Sequence, residues 1–210
     1  MNVDDLRLLY AYNEWANTCI LAAAGGLSMA ELRAPAVPDP GYGTLLGSLV
    51  HILDAEYAWR SLLQHGEWAA ELKPDDFATL EDLAVRWRDE AAAMRAYLET
   101  LTDADMTGIV RYAVEGGRMR ERVRWHCLLH VVNHGTYHRG ETAALLTGLG
   151  HSPGELDFTV YLLEERRGEG RGASCEGRGE IVNGQLSIVN GQWKRGEGRL
   201  AQCATSGVPC

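Results

Sequence analysis

What the chain lacks narrows it first. Its 210 residues contain no apolar run approaching the roughly 20 needed to cross a bilayer, and Met1-Asn2-Val3-Asp4-Asp5 lacks the basic start of a secretory signal. A soluble, cytoplasmic protein is expected. Positive charge is scarce: 20 Lys and Arg stand against 29 Asp and Glu, giving −9 with neutral His, with no basic stripe to neutralise phosphates. Nucleic acid is therefore not an expected partner. A Gly-rich phosphate loop is missing too, because Gly41-Tyr42-Gly43 has neither the strand context nor the Lys that would give it meaning. The five Cys, at 19, 127, 175, 203 and 210, form no Cys-x-x-Cys pair, which removes zinc knuckles and thioredoxin-type redox chemistry, and their odd number argues against a disulfide framework. Cys19 and Cys127 fall in apolar helical patterns and read as small buried hydrophobes.

With 46% apolar and 23% charged residues the chain is of ordinary globular make-up, enough for one domain and an appendage. The composition changes after Arg167. Residues 168–210 hold 10 of the 24 Gly, carry GEGR twice and repeat Ile-Val-Asn-Gly-Gln at 181–185 and 188–192. So few large apolar side chains cannot offset backbone ordering at about 1–2 kcal/mol per residue. The expected division is a folded domain over 1–166 and a low-complexity, disordered extension over 167–210, with at most a weak hairpin around its Asn-Gly pairs. Residues 1–167, without the stretch 168–210, hold 15 basic and 25 acidic residues, or −10.

The first part reads as helices. Leu6, Leu9, Tyr10, Asn13, Asn17 and Ile20 run at helical spacing from Asp4-Asp5 to Gly25-Gly26, predicting a helix over about 4–24. Three prolines between 35 and 40 make the next stretch a connection, long enough to cross a bundle end. Further helices follow over about 43–65, ending at Gly66, and from Thr79, an N-cap with Asp82 three residues on, to Leu101. Ile109 to Arg124 alternates around Glu115-Gly116-Gly117 like a small hairpin, and another helix is predicted over about 121–148, then a short segment from Glu155 to Arg166. Four long amphipathic helices imply an all-α four-helix bundle with a small β-hairpin inserted before the last long helix.

Four of the seven His, at 126, 130, 134 and 138, lie on that last long helix. At 100° per residue, His130, His134, His138, Glu141, Cys127 and Leu145 fall within roughly 40° of His134, so they share one core-directed face. His51 lies on an apolar face with Gly47, Ala55, Ala58 and Leu62, which leaves room beside it. Inward imidazoles from two helices can therefore converge. Left unpartnered, each would cost on the order of 1–3 kcal/mol, and a metal ion is one way to satisfy them. Three His ligands leave a fourth position open, as in catalytic zinc, and nickel or iron would also accept imidazoles. His130 and His138 stand roughly 12 Å apart along the axis, so only an adjacent pair, 130/134 or 134/138, can share an ion.

Other polar groups are more ambiguous. In His134-Gly135-Thr136-Tyr137-His138 a Gly stands where a zincin would place its Glu, so that peptide-hydrolysis mechanism has no support. Glu141 is the candidate to orient an imidazole or shuttle a proton, against a plain reading as a rim carboxylate paired with Arg139 or Arg60. Asp54 has the same ambiguity. Asn13 and Asn17 read as solvated or capping residues outside the site, and the tryptophans as packing.

The run Leu129-His130-Val131-Val132-Asn133-His134-Gly135-Thr136-Tyr137-His138-Arg139-Gly140-Glu141 resembles the C-terminal signature of the DinB family of DinB/YfiT-like metalloenzymes. Asn13-Glu14-Trp15-Ala16-Asn17 and Leu49-Val50-His51-Ile52-Leu53-Asp54-Ala55-Glu56 are similar to its first-helix and second-helix motifs, so the resemblance covers about residues 3–165. It implies a four-helix bundle, usually a homodimer, holding a divalent metal, zinc or nickel, through His51, His134 and His138. Where this chain has Glu141 the family commonly has Gln, an extra negative charge that would hold the ion more firmly or raise the pKa of its water. Family members include S-transferases that use low-molecular-weight thiols. The resemblance implies thiol transfer onto a small electrophile, with a thiol as cofactor. The alternatives are a hydrolase using a metal-bound water and a noncatalytic, stress-related metal-binding bundle.

Overall fold

The computed structural model describes residues 1–166 and, beyond them, the backbone of 186–189 and 192–195. In chain order the elements are α1 (Val3–Ala24), α2 (Met29–Leu32), α3 (Leu45–His65), α4 (Leu80–Glu99), α5 (Asp103–Met106), β1 (Ile109–Ala113), β2 (Met119–Val123), α6 (Arg124–Gly148), α7 (Phe158–Arg166), β3 (Leu186–Val189) and β4 (Gln192–Arg195). They fall into two units, Met1–Cys175 and Glu176–Cys210.

Short polar side chains start the long helices. Asn2 and Asp5 cap α1 reciprocally, Thr79 and Asp82 do the same for α4, and the Thr44 hydroxyl accepts from the Gly47 N–H at 2.9 Å to open α3. Their apolar stripes then meet in a four-helix bundle. Both α1 and α3 pack against α6 on one side and α4 on the other, so α1 and α3 sit on a diagonal. The proline-bearing connection ahead of α3 therefore crosses the bundle end. Leu6, Ile20, Leu46, Leu49, Ile52, Leu53, Leu83, Leu98, Leu128 and Leu146 are shut off from solvent, each contributing about 1.5–3 kcal/mol of burial.

The inserted hairpin is antiparallel, registered from Ile109 opposite Val123 to Ala113 opposite Met119, and it turns through Glu115–Gly117. Val110 and Tyr112 alternate inward onto the bundle. Because residues 119–123 are committed to this ladder, α6 begins at Arg124 rather than at 121. At the other end α7 closes an aromatic patch of Tyr12, Trp15, Phe158 and Tyr161 against α1. The one-turn helices α2 and α5 are additions to the predicted set, although Ser28 and Glu31 form a capping box around the first of them.

Both Cys127 and Cys19 are buried; Cys127 is a free thiol, whereas Cys19 is disulfide-bonded, a departure from the expectation for it. Among the described residues no helix is long and apolar enough to cross a membrane. In the second unit, β3 and β4 pair antiparallel on either side of the Asn190-Gly191 dipeptide, from Leu186 opposite Arg195 to Val189 opposite Gln192. The rest of the extension expected over 167–210 lies outside the described residues.

Candidate metal centre

Adjacent helices bring three imidazoles together. His51 comes from α3, and His134 and His138 come from successive turns of α6. One nitrogen from each lies within 4.8 Å of the others. The Nε2 atoms of His51 and His134 are 3.1 Å apart, close to the ~3.3 Å that separates two donors on one tetrahedral ion at 2.0–2.1 Å. The third ring is already aimed. His138 Nδ1 lies 2.8 Å from Glu141 Oε2, and since a carboxylate can only accept, Nδ1 carries a proton and Nε2 is the atom left to serve as a ligand. The chemistry of the donor set, three imidazoles with one oriented by a carboxylate, fits a divalent ion.

The electrostatics keep two of the three rings neutral. Burial, with the neighbouring His138 adding to it, pushes both His51 and His134 down to about 4 from the usual 6.5. At neutral pH both rings are therefore uncharged, and each has one nitrogen with a lone pair available to an ion. Tyr42 roofs the cluster: its ring stacks on His51 at 4.0 Å between centroids, and its hydroxyl is 3.4 Å from His138 Nε2. It can lie so close to α3 because position 47 is Gly, where a Cβ would stand 2.2 Å from the Tyr42 carbonyl oxygen.

A buried polar network fixes the rotation of α6 behind the histidines. Arg139 (2% exposed) donates through Nη1 to the side-chain oxygens of Asn13 (2.5 Å) and Asn17 (2.9 Å), and through Nη2 to Thr136. Both Asn amides donate onward to Glu56 Oε1, at 2.6 and 2.9 Å, and Trp87 donates to Glu56 Oε2 at 2.8 Å. Two charges of opposite sign are thus linked through two amides from α1. Burial raises the Glu56 carboxyl, opposed by those three donors and by Arg139. The network also explains Gly135, because a Cβ there would meet Arg139 Nη1 at 2.7 Å and Asn13 Oδ1 at 2.9 Å. The Gly that stands in place of a zincin's base makes room for a buried guanidinium.

Several expectations are sharpened or revised by this arrangement. Between the two spacings on α6, the rings that meet His51 are His134 and His138; His130 is exposed, packs edge-on against Trp59 and is outside the group. Glu141 contacts His138 rather than Arg139 or Arg60, the first of which serves the Asn pair and the second Glu90. Asp54 accepts the Leu72 N–H at 2.7 Å, a structural role. Asn13 and Asn17 are buried members of the network, not solvated or capping groups. Sequence reasoning passed over Tyr42 and Glu56. Their only signals were an aromatic between two glycines and a carboxylate at one i, i+5 step from His51, and neither specifies a tertiary partner.

Two comparisons with known proteins bear on the family of the chain. The sequence model of the DinB family matches residues 1–170. Protein DinB of Bacillus subtilis (strain 168) is 26% identical over 169 residues, which cover 73% of this chain and 91% of that relative.

Proposed function

The chain belongs to the DinB family, and on that premise we propose that it is a divalent-metal enzyme that transfers a thiol onto a small electrophile, with His51, His134 and His138 as its metal ligands and zinc or nickel as the ion. The observation that carries the reading is the convergence of three imidazole nitrogens within 4.8 Å, one ring of the three oriented by Glu141. A bound ion would keep a substrate thiol in its thiolate form near neutral pH. The chain's own groups do the rest. Glu141 holds the Nδ1 proton of His138 and so fixes that ring's tautomer. Tyr42 covers the His51 ring and brings a neutral phenol, whose ionisation burial opposes, to the open side of His138. The Asn13, Asn17, Glu56 and Arg139 network keeps α6 from rotating, which holds His134 and His138 toward α3.

The test is elemental analysis combined with native mass spectrometry on protein purified without an immobilised-metal column. One ion per chain is expected in the parent and none in His51→Ala, His134→Ala or His138→Ala. Retention of stoichiometric metal by all three variants removes the ligand assignment. Turnover of one electrophile with and without added thiol then tests thiol transfer: consumption that does not depend on the thiol refutes it.

A further inference from the structure

An open groove of about 560 Å³ runs beside the histidine cluster, between the proline-bearing loop and the C-terminal half of α6. Its walls are apolar. Pro35, Val37 and Pro38 face Ala144, Leu145 and Leu149, and Val37 and Leu149 leave 87% and 53% of their surface exposed. Its ionisable groups are all of one sign: Glu31, Asp39 and Glu141 line it, and no Lys, Arg or His does. Glu31 and Asp39 take their hydrogen bonds from uncharged partners, the Ser28 cap and the Gly41 and Gly43 N–H groups, which hold both carboxyls below the usual range, with His151 outside the groove adding a smaller effect on Glu31. Glu141 gives the groove its direction, since the same side chain lines one end of it and bonds His138. From Glu141 to Leu149 α6 advances eight residues, or about 12 Å, the length of an extended chain of some eight carbons.

We propose that this groove is a binding site for a cationic amphiphile, an apolar body of about eight carbons carrying an ammonium group, and that it delivers such a molecule to the histidine cluster through its Glu141 end. An apolar chain gains by covering the exposed loop and helix side chains, at about 25 cal/mol per Å² removed from water. The head group is chosen by charge: an ammonium meets a lining with three carboxylates and no Lys, Arg or His, and a carboxylate is repelled by that lining. Only the naming of this ligand as the enzyme's substrate rests on the metal-dependent reading; binding in the groove does not.

Calorimetric titration of the zinc-loaded full chain with n-octylammonium and with n-octanoate, probes of equal length and opposite charge, tests the proposal. Octylammonium is expected to bind at one site about tenfold more tightly, the combined effect of three partly exposed charges. Ala144→Trp, on an exposed helix position, should fill the groove and abolish binding of both probes. Leu149→Lys should shrink the preference for the cation several-fold. Equal affinity for the two probes, a preference for octanoate, or octylammonium binding that survives Ala144→Trp overturns the proposal. So does a change of oligomeric mass in Ala144→Trp without probe binding by the parent, which would make this face a contact between copies of the chain. Zinc content measured on the same samples separates the two claims: a parent that binds octylammonium but retains no zinc retires the metal reading and leaves the groove standing.

Discussion

Removing the charges of Arg139 and Glu56 together should cost less than the sum of removing each alone. Arg139 is almost fully enclosed, and its guanidinium is linked to its counter-charge, Glu56, through the Asn13 and Asn17 amides. Arg139→Met deletes three charge-assisted hydrogen bonds and leaves an enclosed carboxylate facing two reoriented amides, a change that typically costs about 3–5 kcal/mol. Glu56→Gln keeps an acceptor for the Asn amides but leaves Arg139 without its counter-charge, at about 2–4 kcal/mol. The double variant removes both buried charges, so its loss should fall short of the sum by at least about 1 kcal/mol. Urea unfolding of all four proteins at pH 7, followed by far-ultraviolet circular dichroism with a chelator present, gives the cycle free of metal linkage. Additivity to within about 0.5 kcal/mol would falsify the idea that the amides couple the two charges.

The centre itself yields two further predictions. Glu141→Ala should leave His138 free to rotate and weaken zinc about 10–100-fold in competition with a chelating dye; unchanged affinity would mean that the 2.8 Å contact does not orient the ring. Without metal, stability should fall as pH drops from about 6.5 toward 4, because the unfolded chain protonates His51 and His134 near 6.5 while the folded chain resists until about 4. For these half-buried rings solvent screening limits the effect to on the order of 1 kcal/mol each. Denaturation midpoints of the parent and of His51→Ala/His134→Ala across that window check it, and an equal pH slope in both proteins would refute it.

Local chemistry written along the chain was enough to set the helices. The Thr79 and Asp82 cap, the Gly66 stop and the alternation of 109–113 each depend on neighbours a few residues away, and α1, α3, α4 and the inserted hairpin follow from them. The spacing of His134 and His138 likewise sets them one turn apart on one face, so a shared site was legible before any packing was known. Which histidine pair meets His51 was not legible from the residues alone, because His130 and His134 have the same spacing. That choice depends on the axial offset between α3 and α6, which the core and the Arg139 network fix together. Tyr42, Glu56 and the groove are tertiary in the same sense: their partners lie 96, 31 to 43 and roughly a hundred positions away in the chain. A sequence fixes dihedral preferences and periodicity over a few turns; the distance between atoms on different helices is decided only when the cores close around them.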